Sequence, residues 1–151
     1  MKRYLVDTNI LLLYIRNDSR IEQIDLDFNP LGSSQTSIIS VVTEGELRSI
    51  ALQRDWGINK ILFLEATLKK FLVADIHVQE IINRYAEIDA FSQGKLKNKP
   101  LEMSARSMGK NDLWIAATAS VLGATLLTTD NDFKHLNGSF LDLELVDLNR
   151  I

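Results

Sequence analysis

A chain of 151 residues, 46% hydrophobic and 25% charged, has the length and composition of one soluble globular domain, 1–151, with enough material for a buried core. Its net charge of −3 argues against a protein that coats nucleic acid, so any basic surface must be local. The absence of cysteine excludes disulfides and thiolate metal sites and fits a reducing cytoplasm, while no apolar run approaches the ~20 residues that span a bilayer. Asp7 splits the apolar opening and no small-residue cleavage site follows, so no signal peptide is expected there.

Strands and helices alternate along the chain. "RYLV" reads as a short buried strand and residues 10–16 as a helix. "SIIS" (residues 37–40) is β-branched and forms the second predicted strand. Helical spacing then runs over residues 43–54, with Leu47, Ile50 and Ala51 on one side, and again over residues 58–70. "FLVAD" (residues 71–75) is a third strand, followed by an amphipathic helix over residues 77–92. "SQGKLKNKPLEMSARSMGK" is loop-like, with two glycines and a proline. "NDLWIAATASVLG" is helical and closed by Gly123 at the C-cap, "ATLLTTD" is a fourth strand, and "LELVDL" a fifth. Short continuous apolar strands separated by helices predict an α/β fold, a parallel sheet covered on both faces. Neither an internal repeat nor a second domain is visible.

Acids stand at the junctions. Asp7 follows strand one, Glu44 and Glu46 follow strand two, and Asp130 and Asp132 in "TTDNDF" follow strand four. In an open α/β sheet the functional crevice lies beyond the carboxyl ends of the strands, where strand order reverses, so these carboxylates can converge. Asp112 is the only charged residue between Asn111 and Gly123, and an isolated carboxylate is expensive to bury without a partner. No cation stands at a suitable spacing, which leaves a divalent metal. Hard oxygen ligands without Cys or nearby His favour Mg²⁺ or Mn²⁺ over zinc. Each acid also has a plain structural use: Asp7 and Asn9 as caps, Thr43 with Glu46 and Thr129 with Asp132 as capping boxes, Asn111 and Asp112 at a helix N-terminus. It is the convergence of four acids that points to a site. Glu44 and Glu46, two residues apart on a helix, differ by about 200° and cannot share one ion. Glu44 pairs with Arg48 four residues on, which leaves Glu46 facing the crevice.

"VDTNILL", "SVVTEGEL", "NDLWIAATA" and "LLTTDNDF", in this order, resemble the PIN-domain ribonucleases, and among them the VapC toxins of bacterial toxin–antitoxin pairs. The resemblance spans essentially the whole chain. It implies a PIN-like three-layer α/β/α fold with a central, mainly parallel sheet of four to five strands. It also implies a metal-dependent endoribonuclease, with Asp7, Glu46, Asp112 and Asp130 at the family's acidic positions and Asp132 at a more variable one. A homodimer and a VapB-like antitoxin partner follow from the resemblance alone.

The chemistry expected of such a site is phosphodiester hydrolysis, the metal acidifying a water and neutralising phosphate charge. Thr8, Asn9 and Thr129 are candidates for orienting water or phosphate, although such residues also serve as ordinary turn residues. RNA that is single-stranded fits a narrow crevice better than a duplex. Without the four acids the net charge would be +1, and Lys95, Lys97, Lys99, Arg106 and Lys110 form a local basic segment leading into Asp112, a candidate phosphate track or a solvated loop. His77 and His135 lack ligand spacing and are expected to be structural; Trp56 and Trp114 are expected in the core. A phosphoacceptor receiver domain would require paired acids after strand one and a Lys after the last strand, and has neither here. A PIN-like module used only for binding should lack an acid, and none is missing. A housekeeping RNA-processing nuclease is the alternative to a toxin.

Overall fold

The computed structural model describes residues 2–150. The elements in order are β1 (Lys2–Val6), α1 (Thr8–Ile15), α2 (Ile21–Asp27), β2 (Gln35–Ser40), α3 (Val41–Gln53), α4 (Ile58–Leu68), β3 (Leu72–Ala74), α5 (Gln79–Ser92), α6 (Lys110–Leu122), β4 (Thr125–Thr128) and β5 (Asp142–Leu145), with 3₁₀ turns at Asn131–Leu136 and Leu148–Arg150. The sheet has five strands in the order β3-β2-β1-β4-β5, every pairing parallel. It is the predicted α/β/α arrangement.

Successive residues of a strand point to opposite faces, and both faces here are covered, which is why the inner strands read as unbroken apolar runs. Leu5, Ile38 and Leu126 pack with Ile81 and Ile88 of α5 and Ile115 of α6. Val6, Ile39 and Leu127 face the other way, towards Ile10, Leu47 and Leu64 of α1, α3 and α4. Strand order reverses between β1 and β4. The open crevice therefore lies beyond Val6 and Thr128, the ends of two strands paired in register.

Several boundaries differ from the sequence reading. Helix α2 is absent from that reading because a seven-residue helix with one fully buried side chain, Ile24, carries too little periodicity. Helix α3 begins two residues earlier than predicted. Ser40, the last residue of β2, caps it by accepting the Val42 N–H at 3.0 Å, so Thr43 lies inside the helix and forms no capping box. The second box is displaced too: Asp130, not Thr129, accepts the Asp132 N–H, at 2.9 Å. β3 shrinks to three residues at the sheet edge. Gly123 does terminate α6, in the left-handed region at φ 61°, where a side chain would be strained. His135 is buried with Nε2 2.7 Å from Ser92 Oγ, while His77 is exposed. Trp114 is only half-buried, its ring 4.3 Å from that of Tyr85, and Trp56 packs at the margin of the core beneath Lys60.

Candidate metal centre

Asp7 occupies the crevice floor because β1 ends and α1 begins there. Its Oδ1 accepts the Thr8 N–H at 2.8 Å, capping α1, and its Oδ2 accepts the Thr128 hydroxyl at 2.6 Å. Capping and site geometry are thus one arrangement. The side chain is almost fully buried, at 3% exposure. That burial pushes its pKa up to about 6 against the pull of these two hydrogen bonds, and the charges of Glu46 and Asp130 add to the rise.

Glu46 reaches the same crevice from α3. Its Oε1 lies 2.8 Å from Thr8 Oγ1, which is 3.0 Å from Thr43 Oγ1. A carboxylate has no proton to give, so Thr8 donates to Glu46, and its single proton leaves it to accept from Thr43. Glu44 points elsewhere, accepting from Arg48 Nε at 3.0 Å on a guanidinium that also grips Glu65 of α4. The two glutamates separate as helical geometry requires.

Asp112 sits in the first turn of α6 and is half-buried. Carboxylate oxygens of Asp112, Asp130 and Asp132 all lie within 4.8 Å of one another. Burial drives the Asp112 pKa up to about 7, and the negative charges of Asp7, Asp130, Glu46 and Asp132 push in the same direction. Among the described residues none of these five acids forms an ion pair with Lys or Arg. The donor set is all hard oxygen, which fits Mg²⁺ or Mn²⁺. Asp112, Asp130 and Asp132 are placed to hold such an ion, with Asp7 and Glu46 completing the negative wall.

Thr128 was not singled out from sequence. Its hydroxyl donates to Asp7 and accepts the Asp130 N–H at 3.0 Å, bridging two strand ends. The signal was the period of two: if Asp130 faces the crevice, so does Thr128, and its neighbour Thr129 does not. Thr129 instead lines a separate cleft with Asn131 and Lys134 on the β5 side. Asn9 is exposed on α1.

The basic segment is split. Lys110 opens α6 at the crevice. Lys99 donates to the Ser139 carbonyl at 2.6 Å and lies over the Phe140 ring, ahead of β5, at the amino ends of the strands. The Lys95 and Arg106 backbones are tied to the C-terminal turn of α5 at that same end, through the carbonyls of Ala90 and Ser92. Lys99 is thus held on the β5 side of the sheet, and the backbones of Lys95 and Arg106 are anchored at the end of α5.

A family model of the PIN domain matches residues 4–139. Solved structures with a similar fold include VapBC2 from Rickettsia felis bound to a promoter DNA fragment, 24% identical, covering 96% of this chain and 99% of that one, with a TM-score of 0.73. FitAcB from Neisseria gonorrhoeae is 19% identical over 93% and 95% of the two chains, with a TM-score of 0.68. VapBC-1 from nontypeable Haemophilus influenzae is 23% identical over 95% and 97%, with a TM-score of 0.65. At these identities the likeness is one of fold. No curated protein sequence matches the chain.

In the metal-free protein, Asp112 works against stability. A carboxyl whose native pKa lies above its unfolded value of 3.8 holds its proton more tightly when folded, so ionising it penalises the native state. The penalty is absent below about pH 3.8, grows up to about pH 7 and is constant above that. Asp112→Asn should then stabilise the metal-free protein above pH ~7, by about 1–2 kcal/mol once solvent screening of a half-exposed group is allowed for, with no gain at low pH. Urea unfolding in chelator across this range checks it. A variant no more stable than the parent at alkaline pH would show that burial and the neighbouring acids do not disfavour the Asp112 carboxylate.

Proposed function

The chain belongs to the PIN-domain family, whose members are typically nucleases, and from that premise we propose that it is a Mg²⁺- or Mn²⁺-dependent endoribonuclease, the toxin of a VapBC-type pair. The observation that carries the chemistry is the convergence of Asp7, Glu46, Asp112, Asp130 and Asp132, none of them ion-paired with a Lys or Arg among the described residues. A divalent ion in that position supplies Lewis acidity, offsetting charge on a phosphodiester and acidifying water.

The chain's own residues set the geometry. Asp7 is fixed by two hydrogen bonds and gives the crevice a rigid floor. Thr8 holds the Glu46 carboxylate, and Thr128 ties the Asp7 and Asp130 segments together, so the ligand-bearing segments are orientated before anything binds. Lys110 offers one positive charge at the rim for a backbone phosphate. An unpaired strand is free to bring its phosphate to the end of the sheet between α3 and α6, which favours single-stranded RNA.

A protein partner is supported by exposed apolar surface on α3 and α4: Leu52, Ile58, Leu62 and Phe63 are 83%, 70%, 58% and 44% exposed. A structure of similar fold, VapBC-5 from Mycobacterium tuberculosis, is a member of the VapBC family of toxin–antitoxin systems, and an antitoxin tail laid along these helices would reach the crevice, where an Arg could pair with the carboxylates. Edge strand β3, with Leu72 and Val73 exposed, supports association into a homodimer. The absence of cysteine favours a cytoplasmic setting.

Cleavage of single-stranded RNA should require Mg²⁺ or Mn²⁺ and stop in chelator. Asp7→Asn, Asp112→Asn, Asp130→Asn and Glu46→Gln should each lower the rate on the order of 100-fold, and Thr8→Val by roughly tenfold, through loss of orientation. Glu44→Gln should leave it unchanged. Undiminished cleavage by folded Asp112→Asn protein would refute the site.

Salt dependence separates the basic residues. Lys110→Gln should lower the slope of log affinity against log salt by about one, whereas neutralising Lys95, Lys97 and Lys99 together should leave it unaltered. A flattened slope in the triple variant would show that RNA runs past the far end of the sheet.

A further inference from the structure

A groove of about 500 Å³ runs along α3 from the carboxylate cluster, lined by Val42, Glu46, Ser49, Ile50 and Gln53, with Asn111 from the start of α6. Glu46 belongs both to this groove and to the metal centre, so the two are continuous. Apart from Glu46 the lining is uncharged. It offers aliphatic surface from Val42 and Ile50, a hydroxyl, and two amides. Gln53 Nε2 donates to Ser49 Oγ at 2.9 Å, one turn back, which orders this polar rim. A phosphate would find no cation here. A nucleobase would find aliphatic surface for its face and amides for its edge.

Gly45 also lines the groove, and it stands inside α3, where glycine is unfavourable relative to alanine. Nothing in the fold requires it. A Cβ built at position 45 meets no atom within 4 Å, and the backbone there is ordinary helix. An unfavourable helix residue without a packing reason, beside open space that leads to a candidate metal centre, fits close approach of a ligand to the helix backbone.

We propose that this α3 groove seats the base of the nucleotide adjoining the scissile phosphate, with Gly45 as its point of closest approach and Ser49, Gln53 and Asn111 reading its edge. The proposal rests on the nuclease reading above and names where that substrate's neighbouring base lies.

The test is steady-state cleavage of one single-stranded RNA of mixed sequence by the parent, Gly45→Ala, Gly45→Leu and Ser49→Ala, with Tm measured for each. Gly45→Ala should raise Tm and yet raise KM, a combination that a purely structural glycine would not give. Gly45→Leu should raise KM about tenfold with kcat little changed. Removing the base next to the cleaved bond should raise KM for the parent by a similar factor and add nothing for Gly45→Leu. An unchanged KM in folded Gly45→Leu, or an abasic penalty equal in both proteins, overturns the proposal. So does a Gly45→Leu protein that keeps its KM but escapes inhibition by the cognate antitoxin, which would make the groove a protein seat. Failure of the parent to cleave any RNA overturns instead the nuclease reading on which the proposal stands.

Discussion

Carboxylates gathered without a cation repel one another, and much of this fold can be understood as the means of holding them together. Asp7 is the extreme case: a side chain almost wholly removed from water, adjoining a sheet whose inner strands are covered on both faces. Its ionised form is disfavoured by burial before any neighbour is counted, and Glu46 and Asp130 add to the penalty. Such an arrangement persists because the backbone leaves little choice. β1 and β4 are paired in register through Val6 and Leu127, so the residues that follow them must emerge side by side. The hydrophobic contacts of two complete layers fix that register, and they are large compared with the repulsion at one end of the sheet.

Hydroxyl groups make the cluster tolerable and give it shape. Thr128 satisfies one Asp7 oxygen and receives the Asp130 amide, while Thr8 and Thr43 form a short relay onto Glu46. These bonds orient carboxylates without neutralising them. A guanidinium in their place would quench the charge, as Arg48 does for Glu44 on the outer face of α3 and for Glu65 of α4. The division of α3 into one face with a paired acid and another with a hydroxyl-held acid is what leaves the crevice negative and available to a divalent ion.

Much of this was legible from residue order. The alternation of apolar strands and helices gave the layers, and acids after strands one, two and four gave the crevice, because parallel sheets put strand ends on one side. The separation of Glu44 from Glu46 followed from helical geometry and Arg48. Thr128 was obscured by its neighbour: "TTD" offers two hydroxyls, and only the alternation of strand faces tells them apart. Asp7 caps α1 as expected, but two other caps were misplaced because Thr43 and Thr129 match a capping pattern that Ser40 and Asp130 take over once the strands end where they do. The basic segment is less legible, for a different reason. The loop begins at the far end of α5, where Lys99 is held by Ser139 and Phe140, and closeness in sequence to Asp112 does not carry that placement. A charge run carries no information about which end of a sheet it occupies.

The most direct trial of the central idea, that this cluster of acids is a cation site, is the anomalous scattering of Mn²⁺ in a crystal of the protein at neutral pH. A single strong peak is expected within coordination distance, about 2.2 Å, of carboxylate oxygens of Asp112 and Asp130, and it should vanish in Asp112→Asn. Manganese found only elsewhere on the surface, or a peak that persists without the Asp112 carboxylate, would contradict it.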